Sequence, residues 1–369
     1  MGIFDLRDKT VARAVLNIGK ENLGLKKGEC LLVLSDWHKA KIGEWLFGNL
    51  KGMVREALHF SYKPTVRHGI EPPESAWIAA FGTSAVSALK GKGLFEKVLD
   101  KRIGKLEEER VFSVLKENAE SVPDVVVAVN RFSISHTLFR KLCTGAFDIR
   151  FVSMPLFEPF MFYSSMQADW KKVEERSLKI AKILTEGEKV YVTSSDGTEI
   201  YFDISDREGI ADTGRFLKPG CFGNLPAGEA FISPVEGKTE GVFVTNWAPD
   251  RRLKEPVKFF VEKGKVVNLS GEKEFCIYME KIFMEDENHR NIAELGIGTN
   301  EKAVRFDNIL EGEKILGTCH IAVGDNSAFG GRVKANVHID FIVEKPTLVV
   351  YRESKELTIA KDGKLVITD

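Results

Sequence analysis

The chain has 369 residues, 43% of them apolar, and its 53 basic and 54 acidic side chains leave a net charge of −1. That length and apolar content allow two domains with their own cores, and the balanced charge leaves no field to draw in nucleic acid or an anionic membrane. The five cysteines (Cys30, Cys143, Cys221, Cys276 and Cys319) are scattered and show no C-x-x-C spacing, which argues for a reducing compartment and against a disulfide framework or zinc knuckle. The N-terminus lacks the apolar run of a signal peptide, and no stretch reaches the roughly 20 apolar residues of a membrane span. The expectation is a soluble, cytoplasmic protein.

The first portion alternates helix and strand. KTVARAVLNIGKEN carries Val11, Val15 and Ile18 at helical spacing, and ECLLVLSD follows as a buried strand. AKIGEWLFGNL reads as helix and VREALHFSY as strand; a long helical region precedes the strand PDVVVAVN. SISHTLFRKLCTGA reads as a helix opened by a serine and closed by Gly145, and FDIRFVSMP as the next strand. Strands alternating with helices imply a mostly parallel sheet. The expected first unit is an N-terminal α/β domain over 1–165.

The helix in QADWKKVEERSLKIAKILTEG is expected to begin a second domain over 166–369. Beyond it the pattern turns to strands. EKVYVTSSDGTEIYFDIS reads as a hairpin turned at Asp196-Gly197. GVFVTNWA, VKFFVEKGKVVNLS, HIDFIV, TLVVYRE and ELTIAKDGKLVITD read as further strands. The fold class expected is α/β: an N-terminal α/β domain, then a strand-rich α+β domain that carries the chemistry.

The chemistry-bearing residues gather late in the chain. In NVHIDFIV, His338 and Asp340 are i and i+2 on a strand, so they share a face, roughly 6–7 Å apart at Cβ. That pair reads as half of a divalent-metal site, with Ile339, Phe341 and Val343 turned into a core. His320, in GTCHIAVG, lies on a second apolar run, and its neighbour Cys319 faces the other way as a core residue. Glu294, in AELGIGTN, sits in an apolar setting before what reads as a glycine-rich turn; a carboxylate there needs a partner. Glu229, in NLPAGEAFISPVEG, and Glu313, in EGEKILGTCH, are further candidate carboxylates. His289, among the charges of EDENHRN, reads as solvated, and His136 as a helix residue. GDNSAFGG lacks the Lys-Ser/Thr of a phosphate loop, and neither a G-x-S-x-G elbow nor an H-E-x-x-H helix is present.

The chain resembles the thermophilic metallo-aminopeptidases, of the aminopeptidase T and aminopeptidase S type, in a short archaeal-like form. The likeness rests on GLKKGECLLVLSD, IEPPES and SISHTLFRKLCTGAFDIRFVSMP in the first domain. In the second it rests on SSDGTEIYF, NLPAGEAFISPVEG, AELGIGTN, EGEKILGTCHIAVGDN and NVHIDFIV. The resemblance implies a dinuclear aminopeptidase that removes N-terminal residues from short peptides. It implies two divalent ions (zinc, cobalt or manganese) held by Glu229, Glu294, His320, His338 and Asp340. Glu313 falls on a further acidic position of the family's site, and Glu294 or Glu313 would relay the proton from water to the leaving amine. The resemblance also implies a homodimer acting on peptides with a free N-terminus. One departure stands out: the longer enzymes carry a tyrosine seven residues after the first histidine, where this chain has Ser327. A related branch includes mononuclear iron(II) ring-cleaving dioxygenases of hydroxylated pyridines, whose two-histidine, one-carboxylate set His320, His338 and Asp340 could also supply. A catalytically degenerate metal-binding member is the third reading.

Overall fold

The computed structural model describes residues 8–353 and 355–367. The chain divides into two compact units, Met1–Gln167 with Gly214–Pro226, and Ala168–Thr213 with Ala227–Asp369. The segment Gly214–Pro226 therefore belongs to the first unit, although the sequence pattern assigns it to the second.

The first unit holds a five-stranded sheet, in the order Glu56–Tyr62, Cys30–Asp36, Val125–Val129, Arg150–Ser153, Phe222–Asn224, with every pairing parallel. Val125–Val129 is buried at every position, as expected of a central strand covered on both faces. The edge strand Phe222–Asn224 comes from the returning segment. Helix Leu138–Phe147 begins later than its sequence suggests. Its cap is Thr137, whose hydroxyl accepts the Arg140 N–H, and Glu71 accepts the N–H groups of Leu138 (2.5 Å) and Phe139 (3.1 Å). His136 precedes the helix in a turn, and Gly145 lies within it; the helix ends at Asp148, in the left-handed region with φ 55°.

The second unit contains two antiparallel sheets. Eight strands run in the order Lys265–Ser270, Arg251–Glu262, Glu240–Ala248, Glu199–Asp203, Lys189–Thr193, Thr347–Arg352, Lys355–Lys361, Lys364–Leu365. The expected hairpin at Asp196-Gly197 pairs Thr193 with Glu199. The other sheet has five strands: β1 (Ile210–Asp212), β2 (Glu229–Ile232), β3 (Ile292–Gly298), β4 (Cys319–Gly324) and β5 (His338–Val343), ordered β5-β4-β3-β2-β1. One apolar core takes Phe243, Val257 and Phe259 from the larger sheet and Leu295, Ile297, Ile321 and Phe341 from the smaller. Ile180 and Leu184 of helix Trp170–Glu186, and Phe275 and Met279 of helix Lys273–Glu285, complete it. Among the described residues, no helix is long and apolar enough to cross a membrane.

Phe341 ties this core to β5. It is fully buried, and its ring lies 4.6 Å from Phe259 and 6.2 Å from both Phe243 and Phe275, centroid to centroid. Phe341→Ala should cost about 3–5 kcal/mol, read as a lower denaturation midpoint. A midpoint unchanged from wild type would show that this aromatic cluster does not hold β5 in place.

Candidate metal centre

Strand periodicity places the site. On β2, Ala230 and Ile232 enter the core; on β3, Leu295 and Ile297; on β4, Cys319, Ile321 and Val323; on β5, Phe341 and Val343. Side chains alternate between faces, so Glu229, Glu294, His320, His338 and Asp340 all project from the opposite face of the same sheet. A register shift between Ile292 and Glu294 adjusts β3 so that Glu294 joins that face. Glu294 thus lies inside a fully buried strand, and the glycines after it belong to that strand rather than to a turn.

Each of the five donors faces a small residue on the next strand. Glu229 pairs with Gly298, Glu294 with Ala322, His320 with Gly296, Asp340 with Ala322 and His338 with Gly324. The space is required: a Cβ on Gly296 would stand 2.0 Å from His320 Nε2. The donors lean into it and form three overlapping groups, Glu229–Glu294–His320, Glu294–His338–Asp340 and Glu313–His320–Asp340, with the ligand atoms of each group within 4.8 Å of one another. His320 Nε2 lies 3.3 Å from Glu229 Oε2 and 3.3 Å from Glu294 Oε1. His338 Nε2 lies 3.4 Å from Glu294 Oε2 and 3.5 Å from Asp340 Oδ1. The His338 Nδ1–H donates to the Asp325 carbonyl at 2.8 Å, which aims Nε2 into the cluster.

Lys314 completes the cluster, and the sequence pattern does not single it out. Its side chain is fully buried, with Nζ 2.6 Å from Glu229 Oε1 and 2.6 Å from Glu313 Oε1. Gly298 lets it in, since a Cβ there would meet the Ile315 carbonyl oxygen at 2.1 Å. The signal available was a lysine directly after a candidate carboxylate in EGEKILG, but lysine is a surface residue by default. Ser327, at the position of the family tyrosine, donates its hydroxyl to the Asp325 carboxylate at 3.0 Å. His289 is buried rather than solvated. Its Nδ1–H donates to the Ile282 carbonyl at 2.6 Å, and its Nε2 lies 2.5 Å from Asn336 Oδ1. Cys319 is buried in the core.

The charges are strongly perturbed. Burial raises Glu294, but hydrogen bonds to His320 and His338 outweigh it and hold its pKa at about 2. Burial, with Glu229 and Asp340 nearby, pushes Glu313 up to about 8 despite Lys314. Burial disfavours the His320 cation, yet Glu294, Glu229 and Asp340 raise its pKa to about 9. His338 is raised well above its usual value against burial by Asp340 and Glu294, and Asp340 is lowered against burial by His338.

These residues fit a divalent metal. Imidazole nitrogens and carboxylate oxygens are the donors borderline and hard divalent ions take. Glu229 Oε2 is buried and makes no well-formed hydrogen bond, its nearest cationic partner being His320 Nε2 at 3.3 Å. A family model described as thermophilic metalloprotease (M29) matches residues 163–365, more than half of the chain. The chain belongs to that family. Two solved structures resemble this M29 chain over nearly its whole length. The 2,5-dihydroxypyridine dioxygenase from Pseudomonas putida is 15% identical, covers 97% of each chain and has a TM-score of 0.70. Wild-type AmpT from Thermus thermophilus is 12% identical, covers 97% of this chain and 99% of its own, with a TM-score of 0.64. At these identities the likeness concerns fold. No curated protein matches the M29 chain.

Metal binding should be proton-linked. Below about pH 9 the His320 ring carries a proton that a metal must displace, and the raised pKa of His338 acts in the same direction. Apparent affinity for zinc or manganese should therefore climb as pH rises toward that value. Calorimetry in buffers of different ionisation heat should detect protons released on binding. A pH-independent affinity around neutrality, with no proton release, would show the two rings to be neutral.

Proposed function

We propose that this M29 metalloprotease is a metal-dependent aminopeptidase that hydrolyses the N-terminal residue from short peptides. The observation that supports it is the convergence of Glu229, Glu294, His320, His338 and Asp340 on one sheet face, in three overlapping groups. These five residues would hold divalent metal of the zinc, cobalt or manganese type. When bound, such metal supplies Lewis-acid polarisation of the scissile carbonyl and a water of lowered pKa. Five donors suffice for one ion or for two; the number turns on Lys314.

The chain's own residues divide the remaining work. Glu294 has one oxygen toward His320 and the other toward His338, which suits it to holding the centre rather than to moving protons. Glu313 is the better proton carrier. It reaches the His320 and Asp340 donors, Lys314 engages one of its oxygens, and it stands outside the five residues assigned to the metal, which leaves its carboxylate for proton transfer. Glu313 would take a proton from the attacking water and deliver it to the leaving amine. Family likeness also supports a homodimer, for which light scattering at micromolar concentration should give twice the chain mass.

A panel of dipeptides and their N-acetylated forms tests the reading. Free dipeptides should be cleaved, chelator should stop the reaction, zinc, cobalt or manganese should restore it, and acetylation should abolish it. A parallel assay offers 2,5-dihydroxypyridine with oxygen and iron(II). Ring cleavage without peptide hydrolysis would overturn the aminopeptidase reading in favour of an iron dioxygenase; neither reaction would leave a degenerate metal-binding protein.

A further inference from the structure

The expectation of two ions leaves out Lys314. Its ammonium is fully desolvated, and within the cluster it lies 2.6 Å from Glu229 Oε1 and 2.6 Å from Glu313 Oε1. At that range a lysine acts on carboxylates as a compact point charge, much as a metal ion would. Two of the three candidate donor groups, Glu229–Glu294–His320 and Glu313–His320–Asp340, contain a carboxylate that Lys314 holds. The third, Glu294–His338–Asp340, contains none.

We propose that Lys314 is a built-in cation standing in place of the second metal, so that this centre binds one divalent ion, on the side of Glu294, His338 and Asp340. The inference rests on the reading of the cluster as a metal site. A second dication sharing Glu229 or Glu313 would sit beside a fixed positive charge where little water screens it, and like charges repel strongly in such surroundings. The lysine side chain is fully buried, and its backbone is held in place. The Lys314–Ile315 backbone packs directly on Gly298, and Asn300 N–H donates to the Lys314 carbonyl at 2.9 Å. The position is thus set by the chain fold as well as by its two ion pairs. Lys314 is a positioning residue in this scheme: it fixes Glu229 and Glu313 without requiring contact with substrate.

Metal content decides the matter without reference to activity. Full-length chain, stripped with chelator and titrated with zinc or manganese by calorimetry, should bind one ion, and mass spectrometry of the dialysed protein should count the same. Lys314→Met removes the charge at similar length and should raise the count to two. Lys314→Arg keeps the charge and should remain at one. Asp340→Asn, which weakens the lysine-free group, should fall below one. Two ions in wild-type protein would overturn the proposal while leaving the aminopeptidase reading intact. No ion at all would overturn both. A folded Lys314→Met variant that still binds one ion would show that the lysine is not what limits the count. If that variant does not fold, as judged by circular dichroism, the wild-type count decides alone.

Discussion

The centre depends on one constraint: five large polar side chains on adjacent strands must reach a common point. Residues directly opposite on antiparallel strands have Cβ atoms roughly 4.5–5.5 Å apart. Two bulky partners at that distance stand side by side and fill the space between them. Here each donor faces glycine or alanine on one neighbouring strand, although His320 also faces Ile342 and Glu229 also faces Asp212, and the space beside those small residues is where the donors meet. The other face of the same strands enforces the arrangement. Leu295, Ile297, Ile321 and Phe341 belong to the apolar core, and slipping a strand by one residue would exchange core and donor faces. The register that buries the core is the register that assembles the site.

The same cluster sets two glutamates far apart in chemistry. Glu294 stands between two imidazoles and is held ionised, at about 2. Glu313 is buried near other carboxylates and is pushed to about 8 even with a lysine against it. Residues of one type, in one cluster, are driven in opposite directions by their neighbours. Lys314 links the halves, since its two carboxylate partners come from β2 and from the turn before β4.

Much of this was legible in the sequence, and the failures have physical causes. His338 and Asp340 could be read as a pair because i and i+2 on a strand share a face whatever surrounds them. In the sequence Gly296 and Gly298 read as turn residues, which sets Glu294 before a turn. Their role is to make room for His320 and for the backbone at Ile315, and sequence does not distinguish a glycine that bends the chain from one that admits a neighbour. His289 looked solvated because charges flank it; burial and two ring contacts are tertiary facts. The three residues of Phe222–Asn224 are too few for periodicity to register. Lys314 is not legible in the sequence because a buried lysine needs anions that only the fold brings to it.

The cluster is also asymmetric across the sheet. Around Lys314 it is ionic. Beside His338 it meets rings: Phe329 packs edgewise on His338, with centroids 5.7 Å apart, and on Phe231 at 5.6 Å. Phe231 lies two residues beyond Glu229 and projects from the same face, so one strand supplies both a candidate ligand and part of the apolar wall. That wall removes water from one side of His338, while the Asp325 carbonyl fixes the ring from another. With its orientation determined and its surroundings partly dry, the imidazole interacts more strongly with Asp340 and Glu294 than it would in open solvent. The ionic side and the aromatic side therefore act together: one gathers the charge, and the other keeps water from screening it.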